Sequence, residues 1–373
     1  MRFVTDSADA DWHTDGTRAK PLRSASLYER GVLMRIGAFI TAAAVAGIMS
    51  AVLLQAAEPN NYKVTILVSN EPDQAPVIDD KLVNGWGIAT SGSSPWWVSD
   101  NGTDWSTVYS GAGAKLSREV VVPGAPTGIV GYTGAQFLVF GHPSTFMWAT
   151  ESGSILGWNS QLPDPTHAVV MHAEAEAVYK GLALHGNTLY TTDFAGCSVD
   201  TLDGTFTEFD SPGGFEDSSI PSNYCPFGIQ AIGDSIFVTY ALKGGEDDVA
   251  GQGHGFVREF DVNGNLIAAV ANHGQLNSPW GLAMAPSTFG RFGGCLLVGN
   301  FGDGEINAYC LDGEEQFHHQ GTLQQDRKPV IIDGLWGIGF GNNAAAGSAN
   351  VLYFAAGPDE ETNGYFGKVE FVP

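Results

Sequence analysis

The chain reads as all-β, a six-bladed β-propeller, on three observations. A glycine phrase returns six times after residue 80, each return is followed by a β-branched or aromatic run, and helical periodicity is weak beyond the N-terminus. The copies open at Trp86-Gly87-Ile88-Ala89, Thr127-Gly128-Ile129-Val130, Lys180-Gly181-Leu182-Ala183, Phe227-Gly228-Ile229-Gln230, Trp280-Gly281-Leu282-Ala283 and Trp336-Gly337-Ile338-Gly339. A recurring unit of roughly 40–50 residues is the mark of a propeller blade or another repeat array. One such unit cannot bury both of its faces, so the copies must pack on one another to form a core.

Each copy resolves into strands. The runs Trp96–Asp100, Gln136–Phe140, Thr188–Asp193, Ser235–Thr239, Cys295–Asn300 and Val351–Ala355 follow the six phrases across turns rich in Gly, Asn and Pro. A third strand follows in several copies, as in Gly153–Trp158 and Gly304–Tyr309. His172–Tyr179 is the best helical candidate and is too short to stand alone. The alternating run Tyr62–Val68 precedes the first copy. It is expected to close the ring as the outer strand of the sixth blade, beside Tyr365–Glu370, leaving only short protected edges. The rival arrangement has a seventh blade hidden in segment 196–225.

The N-terminal part is read separately. Met34-Arg35 precedes an uncharged stretch from Ile36 to Leu54 that ends at Ala56-Ala57, the pattern of a secretory signal over 34–57. The stretch is about as long as a membrane span, so an uncleaved anchor is the alternative. Residues 1–33 mix Asp with Arg and Lys and carry no strand pattern, which reads as disorder or an over-extended gene start. Residues 58–373 then form a single propeller domain, secreted or periplasmic, monomeric, with no stable membrane span after cleavage.

Composition narrows the partners. The sequence has 41 acidic against 17 basic side chains and a formal net charge of −24, a surface that repels nucleic acid and anionic membranes. The four cysteines, Cys197, Cys225, Cys295 and Cys310, suit an oxidising compartment and allow three pairings. Cys295 opens one strand of a hairpin and Cys310 ends the other, so folding about Phe301–Gly304 sets them opposite each other. Cys197 and Cys225 then tie the third blade to the fourth.

Chemistry is sought at the central channel, where innermost strands and loops converge. The residues closing the second strands, Asp100, His142, Asp193, Tyr240, Asn300 and Ala356, are compared as equivalent positions. Asp100, Asp193 and Asn300 offer an oxygen set suited to Ca²⁺ or another divalent metal, and His142 a base or ligand. Asp and Asn at strand ends equally cap their own turns. Trp86, Trp280 and Trp336 precede the repeat glycine in neighbouring blades and offer a stacking wall for a planar ligand or sugar, or else pack blade on blade. The sequence holds no G-x-S-x-G elbow, H-E-x-x-H pair or P-loop. His167, His172 and His185 lie close together, without a carboxylate or Cys spacing that makes them a known motif.

The phrases Asn84–Ala89 with Trp97–Gly102, Ser278–Ala283 with Leu297–Gly304, and Leu335–Asn342 with Leu352–Glu361 resemble an uncharacterised family of exported bacterial β-propeller proteins. More distantly the blades are similar to NHL repeats and to the six-bladed gluconolactonase and regucalcin group. That second resemblance implies a divalent metal in the channel and lactone opening, but its metal-ligand set has no residue-by-residue match here. The resulting expectation is an exported binding module recognising a small molecule, glycan or extracytoplasmic protein at the channel mouth. The alternative is a metal-dependent hydrolase or lactonase with the metal in the channel.

Overall fold

The computed structural model describes residues 59–373. Residues 1–58, on which the expected signal over 34–57 and the reading of 1–33 fall, lie outside the described residues. Six antiparallel sheets follow one another along the chain. In each, the innermost strand begins at the glycine phrase: Gly85–Ala89, Pro126–Gly131, Tyr179–His185, Tyr224–Ile232, Pro279–Met284 and Leu335–Phe340. The second strands are Trp96–Asp100, Phe146–Thr150, Thr188–Asp193, Ser235–Leu242, Leu296–Asn300 and Leu352–Ala356. Blades one, two, four and five add two further strands in simple meander order. The sixth blade takes its outer strand from the start of the domain: Tyr62–Ser69 runs antiparallel to Tyr365–Phe371, with Tyr62 opposite Phe371.

The recurring glycine has a steric cause. A Cβ at Gly87 would lie 2.5 Å from the Thr127 carbonyl oxygen, and one at Gly128 2.2 Å from the Leu182 nitrogen. At Gly181 the distance to the Phe227 oxygen would be 3.1 Å, at Gly228 2.1 Å to the Trp280 oxygen, and at Gly281 2.5 Å to the Trp336 oxygen. At Gly337 it would be 2.7 Å to the Trp86 oxygen, which carries the series from blade six back to blade one. Each innermost strand therefore abuts the backbone of the next at a residue that has no side chain. Away from the axis the blades diverge and large side chains fill the gap. Trp97, Phe146, Trp148 and Trp158 pack between blades one and two, and Tyr62, Phe289 and Phe292 between five and six.

Two expectations for local elements are corrected, and the rival seven-bladed ring is ruled out. The second strand of blade two is Phe146–Thr150, and the run read as that strand, Gln136–Phe140, supplies only Leu138–Val139 of a small hairpin with His142–Pro143. The helix candidate His172–Tyr179 is instead the end of the outer strand Val169–Ala173, a turn, and the start of the next blade. Segment 196–225 holds no seventh blade. Blade three has three strands ending at Leu202, and residues 203–223 carry only the single bridge Leu202↔Glu208.

Both disulfides form. Cys197 and Cys225 have Cα atoms 4.7 Å apart, and Cys295 and Cys310 4.3 Å apart. The second closes a loop with a sequence separation of 15 residues. Replacing Cys295 and Cys310 together by Ala is expected to lower unfolding stability by about 3 kcal/mol through the freed chain entropy of the unfolded state. Urea melts of the double variant measure it, and an unchanged midpoint would contradict the expectation.

Candidate functional site at the axial mouth

The residue before each repeat glycine stands at the entrance of the channel: Trp86, Thr127, Lys180, Phe227, Trp280 and Trp336. The three tryptophans are brought together. Trp336 lies between Trp86 and Phe301, with ring centroids 3.6 Å and 3.9 Å away at near-parallel angles. Phe227 and Trp280 meet it edge-on. Trp86 and Trp336 are 2% and 1% exposed, so this stack plugs the channel, and Trp280 keeps the larger accessible face.

Above the plug the loops after the second strands arrive, and a chain of hydrogen bonds crosses the blades. Asn84 donates from Nδ2 to Glu361 of blade six at 2.6 Å and to Asn101 Oδ1 at 3.1 Å. Asn101 donates to Glu151 of blade two at 2.9 Å. Lys180 of blade three donates to Glu151 at 2.5 Å and to Asp247 of blade four at 2.9 Å. Trp280 of blade five donates from Nε1 to the Lys180 carbonyl at 3.1 Å. Below, Trp336 Nε1 donates to Asn84 Oδ1 at 2.9 Å, so plug and mouth share a residue. Asn84 turns the chain into its strand with φ 47°; Ala125, Ser278 and Gly334 do the same at the equivalent positions of blades two, five and six.

The mouth is electrically lopsided. The cation within the hydrogen-bonded arc, Lys180, is 1% exposed. Burial works against its charge, but Glu151 and Asp247 outweigh burial and raise its pKa. Burial pushes the Glu361 carboxyl up, and the nearby Glu151 charge adds to the effect. Burial also raises Asp248, whose Oδ2 has no partner, as does the buried Trp86 Nε1. Carboxylates and amide oxygens turned to one axis, with perturbed ionisation and unpaired polar atoms, are the physical marks of a binding site.

The expected metal ligands lie in separate blades, and the structure pairs them in different ways. Asp193 accepts the backbone N–H groups of Val178, Ala195 and Gly196 at 2.9–3.0 Å, a turn cap. Asn300 donates from Nδ2 to the Gln275 carbonyl at 2.7 Å and to Asp303 at 3.1 Å, and its buried Oδ1 has no partner. His142 is half-buried in the small hairpin of blade two, away from the second-strand ends. Asp100 is fully buried, accepts from the Thr107 hydroxyl at 3.1 Å, and leaves Oδ2 unpaired. Beside it the Thr107 hydroxyl also lies 2.8 Å from that of Tyr109, which donates to Asp79.

Burial holds the Asp100 carboxyl well above its ordinary value of 3.8. A raised carboxyl keeps its proton longer in the native state, so its contribution to stability falls as pH rises above about 3.8. Asp100→Asn keeps the shape and removes the titration. Its stability is expected to fall less than that of the parent protein between pH 4 and pH 8. Urea melts across that range check this, and parallel pH profiles would contradict it.

Four mouth residues that sequence reading missed lie one step further along. Asn101, Glu151, Phe194 and Phe301 directly follow Asp100, Thr150, Asp193 and Asn300. Glu361, Asp247 and Asp248 sit deeper in their loops. The opposite mouth is different in kind. Ile88, Ile129, Ile229, Leu282 and Ile338 narrow the channel toward a cavity of about 360 Å³, with Gln230 and Thr90 among its few polar side chains.

No family model matches the chain. An uncharacterised protein of Acanthamoeba polyphaga mimivirus is 31% identical over 327 residues, covering 83% of this chain and 80% of its own length. A second from the same virus is 31% identical over 331 residues, covering 83% and 85%. A streptogramin B lyase structure superposes with TM-score 0.50 at 11% identity, covering 83% of this chain and 97% of that one. A gluconolactonase-like structure gives 0.38 at 16% identity, covering 60% and 83%. At 11% identity the likeness to the lyase bears on the fold alone.

Proposed function

Because the chain belongs to the same family as these two mimivirus proteins, for which no activity is described, we propose its function from the mouth itself. It is a binding module that takes a small molecule or glycan rich in hydrogen-bond donors, hydroxyl or ammonium, at the mouth above the tryptophan plug. One observation carries this. Residues of all six blades join in a hydrogen-bonded arc in which the carboxylates of Glu151, Asp247 and Glu361 face a single buried ammonium. Carboxylates only accept, so such a rim selects a ligand that donates. The half-exposed indole of Trp280 beside it suits a sugar face or a cation. The two disulfides favour an exported, oxidising setting for the domain.

Calorimetric titration of the purified protein with panels of neutral saccharides and of polyamines tests the reading. Saturable binding from one panel is expected, weakened about tenfold or more by Glu151→Gln with Glu361→Gln. Binding that ignores both substitutions, or no binding from either panel, would overturn it.

A further inference from the structure

Away from the axis, the junction of blades two and three holds a second group of ligating side chains. His172 is in the outer strand of blade two, Val169–Ala173, and Glu174 follows that strand directly. Glu208 comes from the irregular segment after blade three's last strand, anchored by its bridge to Leu202. One ligand atom of each lies within 4.8 Å of the other two. The side chain of His172 is 17% exposed, and its Nε2 is buried with no hydrogen-bond partner, 3.8 Å from Glu208 Oε2. Among the described residues neither Glu174 nor Glu208 pairs with a lysine or arginine, and Asp193 and Asp200 add to the same negative field.

We propose that His172, Glu174 and Glu208 bind a divalent transition metal of the Zn²⁺ class, which pins the segment after blade three to blade two. The site is independent of the axial mouth. An imidazole nitrogen with two carboxylate oxygens suits Zn²⁺ better than Ca²⁺ or Mg²⁺, which prefer all-oxygen shells. Three protein ligands leave a further position for water. The location supplies a structural reason for such a clip. Blade three has no fourth strand, so residues 203–223 lack the ladder that fixes the outer edge of its neighbours. A metal shared between His172, Glu174 and Glu208 supplies that missing tie without a sheet.

The test is titration of chelator-stripped protein with Zn²⁺, with Ca²⁺ run in parallel, read by calorimetry and by the melting temperature. One equivalent of Zn²⁺ is expected to bind and to raise the melting temperature. Glu174→Gln and Glu208→Gln, at exposed positions that do not threaten folding, are each expected to weaken binding at least about tenfold, and His172→Ala to abolish it. His318→Ala, at another half-exposed histidine beside an aspartate, is expected to leave binding unchanged. Absence of stoichiometric Zn²⁺ binding, equal binding of Ca²⁺, or affinity that survives both Gln substitutions would overturn the proposal.

Discussion

Gly128→Val is expected to destabilise the domain by at least about 3 kcal/mol, at the upper end of overpacking costs. The reason is geometric. The new Cβ would lie 2.2 Å from the Leu182 nitrogen, 2.7 Å from the Gly181 carbonyl carbon and 2.8 Å from the Leu182 Cβ. Two of these atoms are backbone of the neighbouring blade, held by that blade's own ladder, so no rotamer change relieves the clash. Either the two innermost strands separate or the ring opens. Gly313→Ala is the matched control, because a Cβ there meets nothing within 4 Å. Its effect is expected to stay within about 0.5 kcal/mol. Urea melts of the two variants give the comparison. Equal midpoints would mean that the glycines are not what seats blade against blade.

That glycine was legible because its cause acts at every blade. A steric demand repeated around a ring leaves a repeated residue, and the aliphatic residue after it and the aromatic strand beyond it return with it. Blade two shows where the reading fails. Gln136–Phe140 alternates like a strand, but its residues serve an inserted hairpin, and the paired strand is Phe146–Thr150, whose Trp148 packs between blades. Local pattern cannot separate the two, because both bury aromatic side chains. The mouth residues were missed by one position for a related reason. Asp100, Asp193 and Asn300 end their strands inside the blades and bond within them. The residues after them have left the ladder and turn toward the axis. Nothing local places Glu361 and Asp247 at the axis, since their loops differ in length and share no register with the other blades. The pairing Cys295–Cys310 was readable from one hairpin, whereas His172, Glu174 and Glu208 meet only through the packing of two blades.

Trp336→Ala should have the largest combined effect on stability and binding. The indole is sandwiched between Trp86 and Phe301 and meets Phe227 and Trp280 at its edges. Truncating a buried tryptophan costs about 3–5 kcal/mol, and stacked aromatic partners add to that. Loss of its Nε1–H also removes the donor that holds Asn84 Oδ1, and Asn84 is the residue that reaches both Glu361 and Asn101. The plug and the acidic arc should therefore loosen together. Trp336→Phe separates the two contributions. It keeps a ring between Trp86 and Phe301 but leaves Asn84 without its indole partner. It is expected to cost only about 1 kcal/mol of stability, yet to weaken ligand binding as Glu361→Gln does. Melting curves and calorimetry on both variants decide the matter. If Trp336→Phe binds like the parent protein, the plug supports the mouth only by filling space, and Asn84 is oriented by Glu361 and Asn101 alone.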